Sequence, residues 1–212
     1  MIYFTSLISI LIGLGLLFFS IAFHEIGHAY VADRLGDPTP RSQGRLSFDL
    51  RKHIDLVGTI LIPFILFIIR SPFIFGWAKP VEIDAFNLRH PKKDMALISI
   101  AGPSANILLA AIAAVLFKIN PSLVFLFLTQ INVALAVFNL IPVHPLDGGK
   151  ILVGLLPARF SGQVELFLNR YGFLLLLFLI FPIFGGNSLL GIIISPIINL
   201  ILSVLIPGSQ VV

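Results

Sequence analysis

The sequence predicts an all-α polytopic membrane protein with about five to six membrane segments, one of them a re-entrant hairpin, and with short interfacial β-strands. The first observation behind this prediction is composition. Of 212 residues, 58% are hydrophobic and only 11% are charged, and the mean hydropathy is +1.04. A soluble domain carries about 25% charged residues. The second observation is that the apolar residues form runs of about 20, the length of helix that crosses a bilayer.

Short polar stretches separate the apolar runs, which predicts the order of the membrane segments. The first run is Ile2–Leu35, and no basic region precedes it, so we expect a membrane helix and not a cleaved signal peptide. The later runs are 54–75, Met95–Phe117, Pro121–Leu140, Tyr171–Phe184 and Leu189–Ile206. We expect one membrane domain over residues 1–212, with a functional core over about 1–157 and a C-terminal helical hairpin over about 170–207.

The run at 54–75 is predicted to enter the membrane and return on the same side. Gly58, Pro63 and Pro72 interrupt it, and broken helices are tolerated where protein or water covers the backbone. The loops on either side of it are both basic, whereas Lys and Arg prefer the cytoplasmic side of a membrane. A re-entrant hairpin keeps both loops on that side. We therefore expect the N-terminus outside, and the basic loops and the C-terminus in the cytoplasm.

Several classes of function are excluded by composition. The chain has no Cys, which excludes disulfides and thiolate chemistry. Its net charge of +4 and its pI near 9.7 are explained by basic residues that flank membrane segments. No patch of interleaved aromatic and basic residues accompanies this charge, so we expect no nucleic-acid binding.

A polar cluster, HEIGH, interrupts the end of the first apolar run with His24, Glu25 and His28. Residues four apart return to the same face of an α-helix, so the two imidazoles can hold one Zn²⁺ ion. Glu25 lies beside them, and H-E-x-x-H on a helix is typical of zinc metalloproteases in which the Glu is a general base. Ionisable residues in a membrane helix are costly, which favours a functional site over a structural polar cluster.

A catalytic zinc site usually has three protein ligands, so a third ligand must come from elsewhere in the chain. Neither Glu82 nor Glu165 has a suitable setting, whereas Asp147 ends an apolar run and precedes two glycines. In the predicted topology the first run and Pro121–Leu140 both run inward, which brings Asp147 to the depth of the histidines. His144 stays open as another ligand or as a group that orients Asp147.

The motifs together resemble a known family. They are HEIGHAYVADRLGD, GRLSF, HIDLVGT, FGWAKPV, AGPSANILLA and FNLIPVHPLDGGKIL, and they follow one another from His24 to Leu152. In this order they are similar to the site-2 proteases, the intramembrane zinc metalloproteases of peptidase family M50. One departure is GRLSFDL, which stands where that family has a sequence closer to GRLTLNP.

The resemblance implies roles for individual residues. His24, His28 and Asp147 would bind one Zn²⁺ ion per chain. Glu25 would activate the water molecule that attacks the substrate. Asn139 would help to hold the substrate backbone or the oxyanion.

Two further features each allow two interpretations. Gly102 and Asn106 match the G-x-x-x-N element of the family, for which tight helix packing and a direct catalytic role are both open. Arg45–Phe48 and Lys79–Ile83 are the predicted interfacial strands, and an extended substrate can add to a strand edge. The alternative for these two stretches is an interfacial loop that packs on the helices.

The resemblance implies an intramembrane zinc endopeptidase that cuts in or near the transmembrane segments of other membrane proteins, in regulated intramembrane proteolysis. Its site would lie nearer the cytoplasmic side of the cell membrane. Anti-sigma factors and remnant signal peptides are the substrates that the family suggests. A metal transporter is the alternative, but transporters favour internal repeats and the sequence has none. A catalytically inactive scaffold is disfavoured because HEIGH and the Asp147–Gly148 pair are intact.

Overall fold

The computed structural model describes residues 7–47, 49–68, 79–184 and 187–207, and most of these residues are helical. The α-helices, in chain order, are α1 (Leu7–Leu35), α2 (Thr39–Ser42), α3 (Ile62–Ile68), α4 (Pro91–Ile119), α5 (Leu123–Asn139), α6 (Asp147–Leu155), α7 (Ala158–Ile180) and α8 (Leu189–Leu205). Short 3-10 helices lie at Leu50–His53 and Ala85–Asn87, and a π-helix at Leu56–Leu61 leads into α3. The described strands, β1 (Pro182–Phe184) and β2 (Asn187–Ser188), pair antiparallel between α7 and α8.

Three of the described helices are long and apolar enough to cross a membrane: α1 from Leu11 onward, α4 and α7. α5 and α8 are shorter apolar helices of 17 residues each. At about 1.5 Å per residue, such a helix covers about 25 Å, close to the thickness of the hydrocarbon. Their outer faces carry exposed apolar side chains, such as Phe173 (62% exposed) and Leu200 (67% exposed). These features confirm the predicted helical membrane protein.

α1 and α4, each 29 residues long, pack antiparallel. Asn106 of α4 contacts His24 of α1, and Ile98, nearer the start of α4, contacts His28, nearer the end of α1. α4 turns small residues toward its neighbours, such as Ala113, which is fully buried. In a membrane, small residues allow the close backbone approach on which helix association depends.

α5 runs in the same direction as α1. Phe127, near the start of α5, lies against Gly13, and further along both helices Asn132 contacts Ser20. The two helices therefore end at the same end of the bundle. The chain that follows α5 brings Asp147 to the level of the HEIGH motif, in agreement with the shared direction predicted from the sequence.

The remaining long helices pack around this central group of three through two apolar clusters. One cluster joins α8 to α4 and α5 and contains Ala110, Val133, Val137 and Leu202. The other joins the segment before α6 to α7 and α8 and contains Val143, Leu146, Leu176 and Leu190. α6 itself packs on α4, with Gly154 lying against Ala96. α6 therefore holds its first residue, Asp147, against the central bundle.

The segment between His53 and Lys79 begins and ends at the same place. The Lys79 N–H donates to the His53 carbonyl oxygen at 2.9 Å. The side chain of Arg45 also joins the two ends, because it donates to the carbonyl oxygens of Lys52 and Lys79. A segment whose ends are hydrogen-bonded to each other does not connect opposite ends of a bundle, which supports the re-entrant hairpin predicted over 54–75. Residues 69–75 of that hairpin lie outside the described residues.

The described residues of Arg45–Phe48 and Lys79–Ile83 are irregular, which favours the interfacial loop over the predicted strands; Phe48 lies outside the described residues. The reason is that side chains take the backbone groups that a strand ladder needs. Arg45 donates to two carbonyl oxygens of the second stretch, and Glu25 accepts from one of its N–H groups. The two stretches nevertheless lie side by side, held by Arg45.

α7 begins at Ala158, well before the predicted start at Tyr171. Pro157 precedes it, a position at which proline is well tolerated because the first N–H groups of a helix have no partner within it. Its first half carries charges, including Arg159 and Arg170, so it does not belong to a continuous apolar run. A hydropathy argument therefore finds only the second half of this helix.

A buried carboxylate ties the end of α1 to the segment before α4. Asp37 is fully buried and accepts hydrogen bonds from the backbone N–H groups of Thr39 at 3.1 Å and Asp84 at 2.8 Å. It also accepts one from the Asn87 amide at 3.0 Å. Burial alone raises the pKa of Asp37, but these hydrogen bonds to the charged form outweigh it and lower the pKa below its ordinary value.

We predict that Asp37→Asn destabilises the protein in a pH-dependent way. The pKa of Asp37 is lower in the folded state than in the unfolded state, so the ionised carboxylate stabilises the fold above pH about 4. This stabilisation is lost as the pH falls through the folded-state pKa. Asn keeps one acceptor oxygen, so we expect a loss of about 1–3 kcal/mol near neutral pH. Thermal unfolding in detergent, followed from neutral pH into acid, measures it. The exposed Asp49→Asn is the control, and a difference that is constant with pH contradicts the prediction.

Candidate metal centre

The HEIGH motif lies on α1, and the helix brings its two histidines together. His24 and His28 have ring centroids 4.6 Å apart and Nε2 atoms 3.0 Å apart. Both are buried, with 6% and 7% of their surface exposed. α1 is unbroken through the motif, so the four-residue spacing alone sets this geometry.

Asp147 reaches the histidines from a distant part of the sequence. It is the first residue of α6, after the irregular segment 141–146 that follows α5. Its Oδ2 atom lies 3.0 Å from His24 Nε2 and 3.2 Å from His28 Nε2. The three side chains converge, with their ligand atoms all within 4.8 Å of one another. Within the described ranges they form a group that can hold a metal ion.

Hydrogen bonds on the far side of each imidazole fix which nitrogen faces this group. The Nδ1 atom of His28 lies 2.7 Å from the carbonyl oxygen of Ile98, and that of His24 lies 2.6 Å from Asn106 Oδ1. Both oxygens are acceptors, so each Nδ1 carries the proton and donates. Each Nε2 then presents a lone pair toward Asp147. Histidines that bind metals characteristically donate their other ring N–H in this way.

The three residues fit a Zn²⁺ ion. Three electron-rich atoms that face one another in a buried space repel unless a cation lies between them. Asp147 Oδ2 is buried and has no hydrogen-bond partner in the part of the chain that is described. Tetrahedral ligands at about 2.0–2.1 Å from zinc lie about 3.3 Å apart, and the observed separations are 3.0 to 3.2 Å. Two imidazole nitrogens and a carboxylate oxygen are also a ligand set found in catalytic zinc sites.

A paired set of polar side chains supports His24. Asn106 accepts from His24 Nδ1, and its amide donates to Asn132 Oδ1 at 2.7 Å. The amide of Asn106 also donates to the Ser20 carbonyl oxygen at 3.1 Å. Asn132 donates to Ser20 Oγ and to the Leu128 carbonyl oxygen, both at 2.8 Å. Each amide hydrogen of the two asparagines thus has an acceptor, which fixes both side chains and, through them, the imidazole.

Gly102 leaves the space that the two imidazoles fill. A Cβ atom at this position of α4 would lie 2.5 Å from His28 Cε1 and 2.6 Å from His24 Cε1, and closer still to His28 Nε2. For the G-x-x-x-N element, the structure therefore supports the packing interpretation, and the groups packed against it are the two histidines. Gly102 makes room for the histidines, and Asn106 holds one of them.

Gly148 allows the chain to fold back in front of α6. A Cβ atom there would overlap the carbonyl oxygens of Leu140 and Ile141. The backbone can therefore pass close to the end of α5 only with glycine at this position. This close approach directs the neighbouring Asp147 toward α1.

Glu25 lies next to this group on α1, but its described hydrogen bond is to a different element. Its Oε2 atom accepts from the Val81 N–H at 2.8 Å. The side chain is only partly buried. One carboxylate oxygen is thus held by the backbone, while a general base needs only the other oxygen to accept a proton.

Asn139 and His144 lie outside the group of three. Asn139 is the last residue of α5, and its amide donates to the Leu135 carbonyl oxygen at 3.0 Å. The ring of His144 packs against Gly149 and its backbone against Gly172. Its Nε2 atom is buried and, within the described ranges, has no hydrogen-bond partner. The geometry thus favours Asp147 over His144 as the third ligand.

Sequence reasoning missed three contributors to this site: Ser20, Asn132 and Val81. The first two are polar residues inside apolar helices, the same signal that identified the HEIGH motif. Asn132 is such a polar residue in an apolar run, but no regular spacing to another polar residue indicated which side chain it would contact. Val81 contributes a backbone N–H, for which an apolar side chain gives no signal at all.

Proteins of similar sequence agree with this chemistry. The profile of peptidase family M50 matches residues 117–179. YwhC of Bacillus subtilis, provisionally named a zinc metalloprotease, is 34% identical over 184 residues, which cover 80% of each chain. The zinc metalloprotease MJ0392 of Methanocaldococcus jannaschii is 27% identical over 182 residues, or 82% of this chain and 44% of that protein. Rip2 of Mycobacterium tuberculosis, also provisionally named a zinc metalloprotease, is 29% identical over 136 residues, or 61% and 51% of the two chains. No solved structure shows significant similarity to the chain.

The buried His–His–Asp group, the helices of membrane length and these similarities together indicate a zinc metalloprotease of the membrane. The chain belongs to peptidase family M50, as its similarity to YwhC over four-fifths of both proteins shows. Its metal is Zn²⁺, as in the zinc metalloproteases to which it is similar. The chain spans about half the length of the archaeal and mycobacterial relatives. The family and the zinc chemistry predicted from the sequence are both confirmed.

We predict that Gly102→Ala lowers the zinc content while the helices stay folded. The added Cβ atom displaces both imidazoles, whereas alanine itself favours a helix. Zinc per chain, measured by elemental analysis of the purified protein, should fall well below one. Gly15→Ala is the matched control, because a Cβ atom there meets nothing within 4 Å. Equal zinc content in the two variants contradicts the prediction.

We predict that Asn106→Ala weakens zinc binding by about 10- to 100-fold, the usual effect of losing a partner of a metal ligand. Without Asn106, the His24 ring loses the acceptor that fixes its tautomer and orientation. Competition with a metal chelator measures the change in affinity. Asn120→Ala, at the exposed end of the same helix, should leave the affinity unchanged. An unchanged affinity in Asn106→Ala would show that α1 alone orients the imidazole.

Proposed function

We propose that this metalloprotease is an intramembrane zinc endopeptidase in which His24, His28 and Asp147 bind the metal and Glu25 is the general base. The observation that carries the proposal is the convergence of the three ligand atoms within 4.8 Å, with both Nδ1 groups already donating elsewhere. α1, which carries the two histidines, is long and apolar enough to cross a membrane.

The residues account for hydrolysis of a peptide bond. His24, His28 and Asp147 would hold a Zn²⁺ ion, which would act as a Lewis acid on the scissile carbonyl and lower the pKa of a bound water. Glu25 accepts a proton from the attacking water, whose oxygen adds to the carbonyl carbon. When the C–N bond breaks, Glu25 returns the proton to the departing amine nitrogen. The immediate products are a carboxylic acid and an amine, and Glu25 ends in its starting state. At neutral pH the acid then loses its proton and the amine gains one, which gives a carboxylate and an ammonium group.

Asn139 is proposed to hold the substrate backbone or the developing oxyanion. It lies at the end of α5, the end of the bundle to which the HEIGH motif also belongs. Its amide has two hydrogens, and the bond to Leu135 uses one of them. The other can be donated to an oxygen that gains negative charge during the reaction.

The position of the site points to substrates that are themselves membrane proteins. A helix hides its carbonyl groups in its own hydrogen bonds, so a transmembrane substrate must unwind locally before it is cut. We propose cleavage in or near transmembrane segments, as in regulated intramembrane proteolysis, with anti-sigma factors or remnant signal peptides as candidate substrates. Arg34 lies in the last turn of α1, beyond the HEIGH motif, and Arg41 and Lys52 follow in the next segment of the chain. This supports a location in the cell membrane with the site nearer the cytoplasmic side.

The test separates metal binding from proton transfer by comparing detergent-purified wild type with two variants, Glu25→Gln and Asp147→Ala. Wild type and Glu25→Gln should both hold about one zinc per chain, because Glu25 is not a ligand in the proposal. Glu25→Gln should fail to cleave a tagged fusion that carries one transmembrane segment and that wild type cuts. Asp147→Ala should lose both zinc and cleavage.

His144→Ala decides between the two candidates for the third ligand. The proposal expects it to keep its zinc. Zinc retained in Asp147→Ala but lost in His144→Ala would move the third ligand to His144. Normal cleavage by Glu25→Gln would remove the general-base role.

A further inference from the structure

A buried arginine binds the same segment, Lys79–Val81, that donates a hydrogen bond to Glu25. Arg45 is 2% exposed, and none of the described carboxylates forms an ion pair with it. Its guanidinium donates instead to backbone carbonyl oxygens, of Lys52, of Lys79 at 3.3 Å and of Pro80 at 3.5 Å. A buried charge that is satisfied by carbonyl oxygens alone is costly to keep, which raises the question of what it does.

The peptide group between Pro80 and Val81 connects this cation to Glu25. Its carbonyl oxygen, on Pro80, accepts from Arg45. Its N–H, on Val81, donates to Glu25 Oε2 at 2.8 Å. In a trans peptide the C=O and N–H groups point in opposite directions within one plane. The guanidinium and the carboxylate therefore bind the two ends of one peptide dipole, and each hydrogen bond strengthens the other.

We propose that Arg45 is a positioning residue for Glu25 and acts through the Pro80–Val81 peptide group. The inference rests on the proposed role of Glu25 as general base. Arg45 fixes the plane of the peptide, the Val81 N–H fixes Oε2, and the remaining oxygen, Oε1, is thereby directed to the attacking water. This assigns a task to GRLSF and FGWAKPV, two motifs that the metal site leaves unused.

The residue types suit this task. Arginine presents several N–H groups in a rigid plane and stays charged when buried, so one side chain can hold carbonyl oxygens of two adjacent residues. Pro80 has a fixed φ and keeps Lys79 extended, which limits the freedom of the two carbonyl groups that Arg45 holds. Lysine at position 45 would keep the charge, but its single ammonium group would not hold the two carbonyl oxygens in a fixed plane.

Hydrogen exchange tests the geometry without a substrate. In wild type the Val81 amide should exchange slowly, as measured by mass spectrometry on peptides that cover residues 79–84. Arg45→Gln and Glu25→Ala should both accelerate exchange of this amide. Arg51→Gln removes the same charge from an exposed neighbour and should not. Unchanged exchange in Arg45→Gln overturns the proposal, and this result would stand even if the protein were inactive.

Cleavage of the one-segment fusion tests the effect on catalysis. Arg45→Gln should lower kcat by about 10- to 100-fold, the cost of a small displacement of a catalytic group, with KM and zinc per chain little changed. Arg45→Lys should restore part of the loss. Val81→Pro removes the N–H, and it should lower kcat by at least tenfold more than Val81→Ala, a difference of about 1.4 kcal/mol in the barrier.

The double variant Arg45→Gln/Val81→Pro is decisive. If Arg45 acts through the Val81 N–H, the double variant is no slower than the slower single variant. Effects that multiply would show that the two residues act independently and would overturn the proposal. A change in KM alone would also overturn the proposal, and so would a loss of zinc in the folded Arg45→Gln protein.

If Arg45→Gln does not fold, Arg45→Lys replaces it in the comparison of single and double variants. If wild type does not cleave the fusion while its Val81 amide still exchanges slowly, the proposed function is contradicted and the geometry around Val81 is not.

Discussion

Polar groups inside an apolar bundle must satisfy one another, and the arrangement of the central helices follows from this constraint. Leaving one buried donor or acceptor unpaired costs about 1–3 kcal/mol. The chain avoids that cost with a continuous line of hydrogen bonds from Ser20 through Asn132 and Asn106 to His24. The line ends at Asp147, whose Oδ2 atom has no hydrogen-bond partner among the described residues and faces the lone pairs of both imidazoles. A metal cation bound there would complete it, so the hydrogen-bonded side chains and the metal ligands form one continuous polar group.

The directions of the helices place the chemistry at one end of the bundle. α1 and α5 are parallel, and the antiparallel α4 packs against both. The C-terminal halves of α1 and α5 therefore lie at the same end of the bundle, where the functional residues meet. Outside the bundle, two buried charges organise the irregular segments. The Asp37 carboxylate accepts hydrogen bonds from backbone N–H groups, and the Arg45 guanidinium donates to backbone carbonyl oxygens. Irregular backbone near a membrane surface needs such partners because it lacks those of a helix or a sheet.

The sequence was most informative where side-chain chemistry and spacing coincide. The four-residue spacing of HEIGH predicts the paired imidazoles, and an isolated carboxylate at the end of an apolar run predicts Asp147 as their partner. It was least informative where backbone groups decide the structure. The expected strand at Lys79–Ile83 does not form because its carbonyl and N–H groups bind side chains. The Val81 contact with Glu25 is made by the backbone, so the type of residue at position 81 gives no sign of it. The charged first turns of α7 were likewise hidden from a hydropathy argument.

The two halves of the metal site are far apart along the chain, and this has a consequence for biogenesis. HEIGH, on α1, is synthesised before its carboxylate partner, which follows only after α4 and α5 have been made. Until then the two imidazoles face no third ligand. We expect the nascent chain to acquire its ion late, after the bundle has closed, so that the enzyme stays inert while it is still beside the insertion machinery and its other clients.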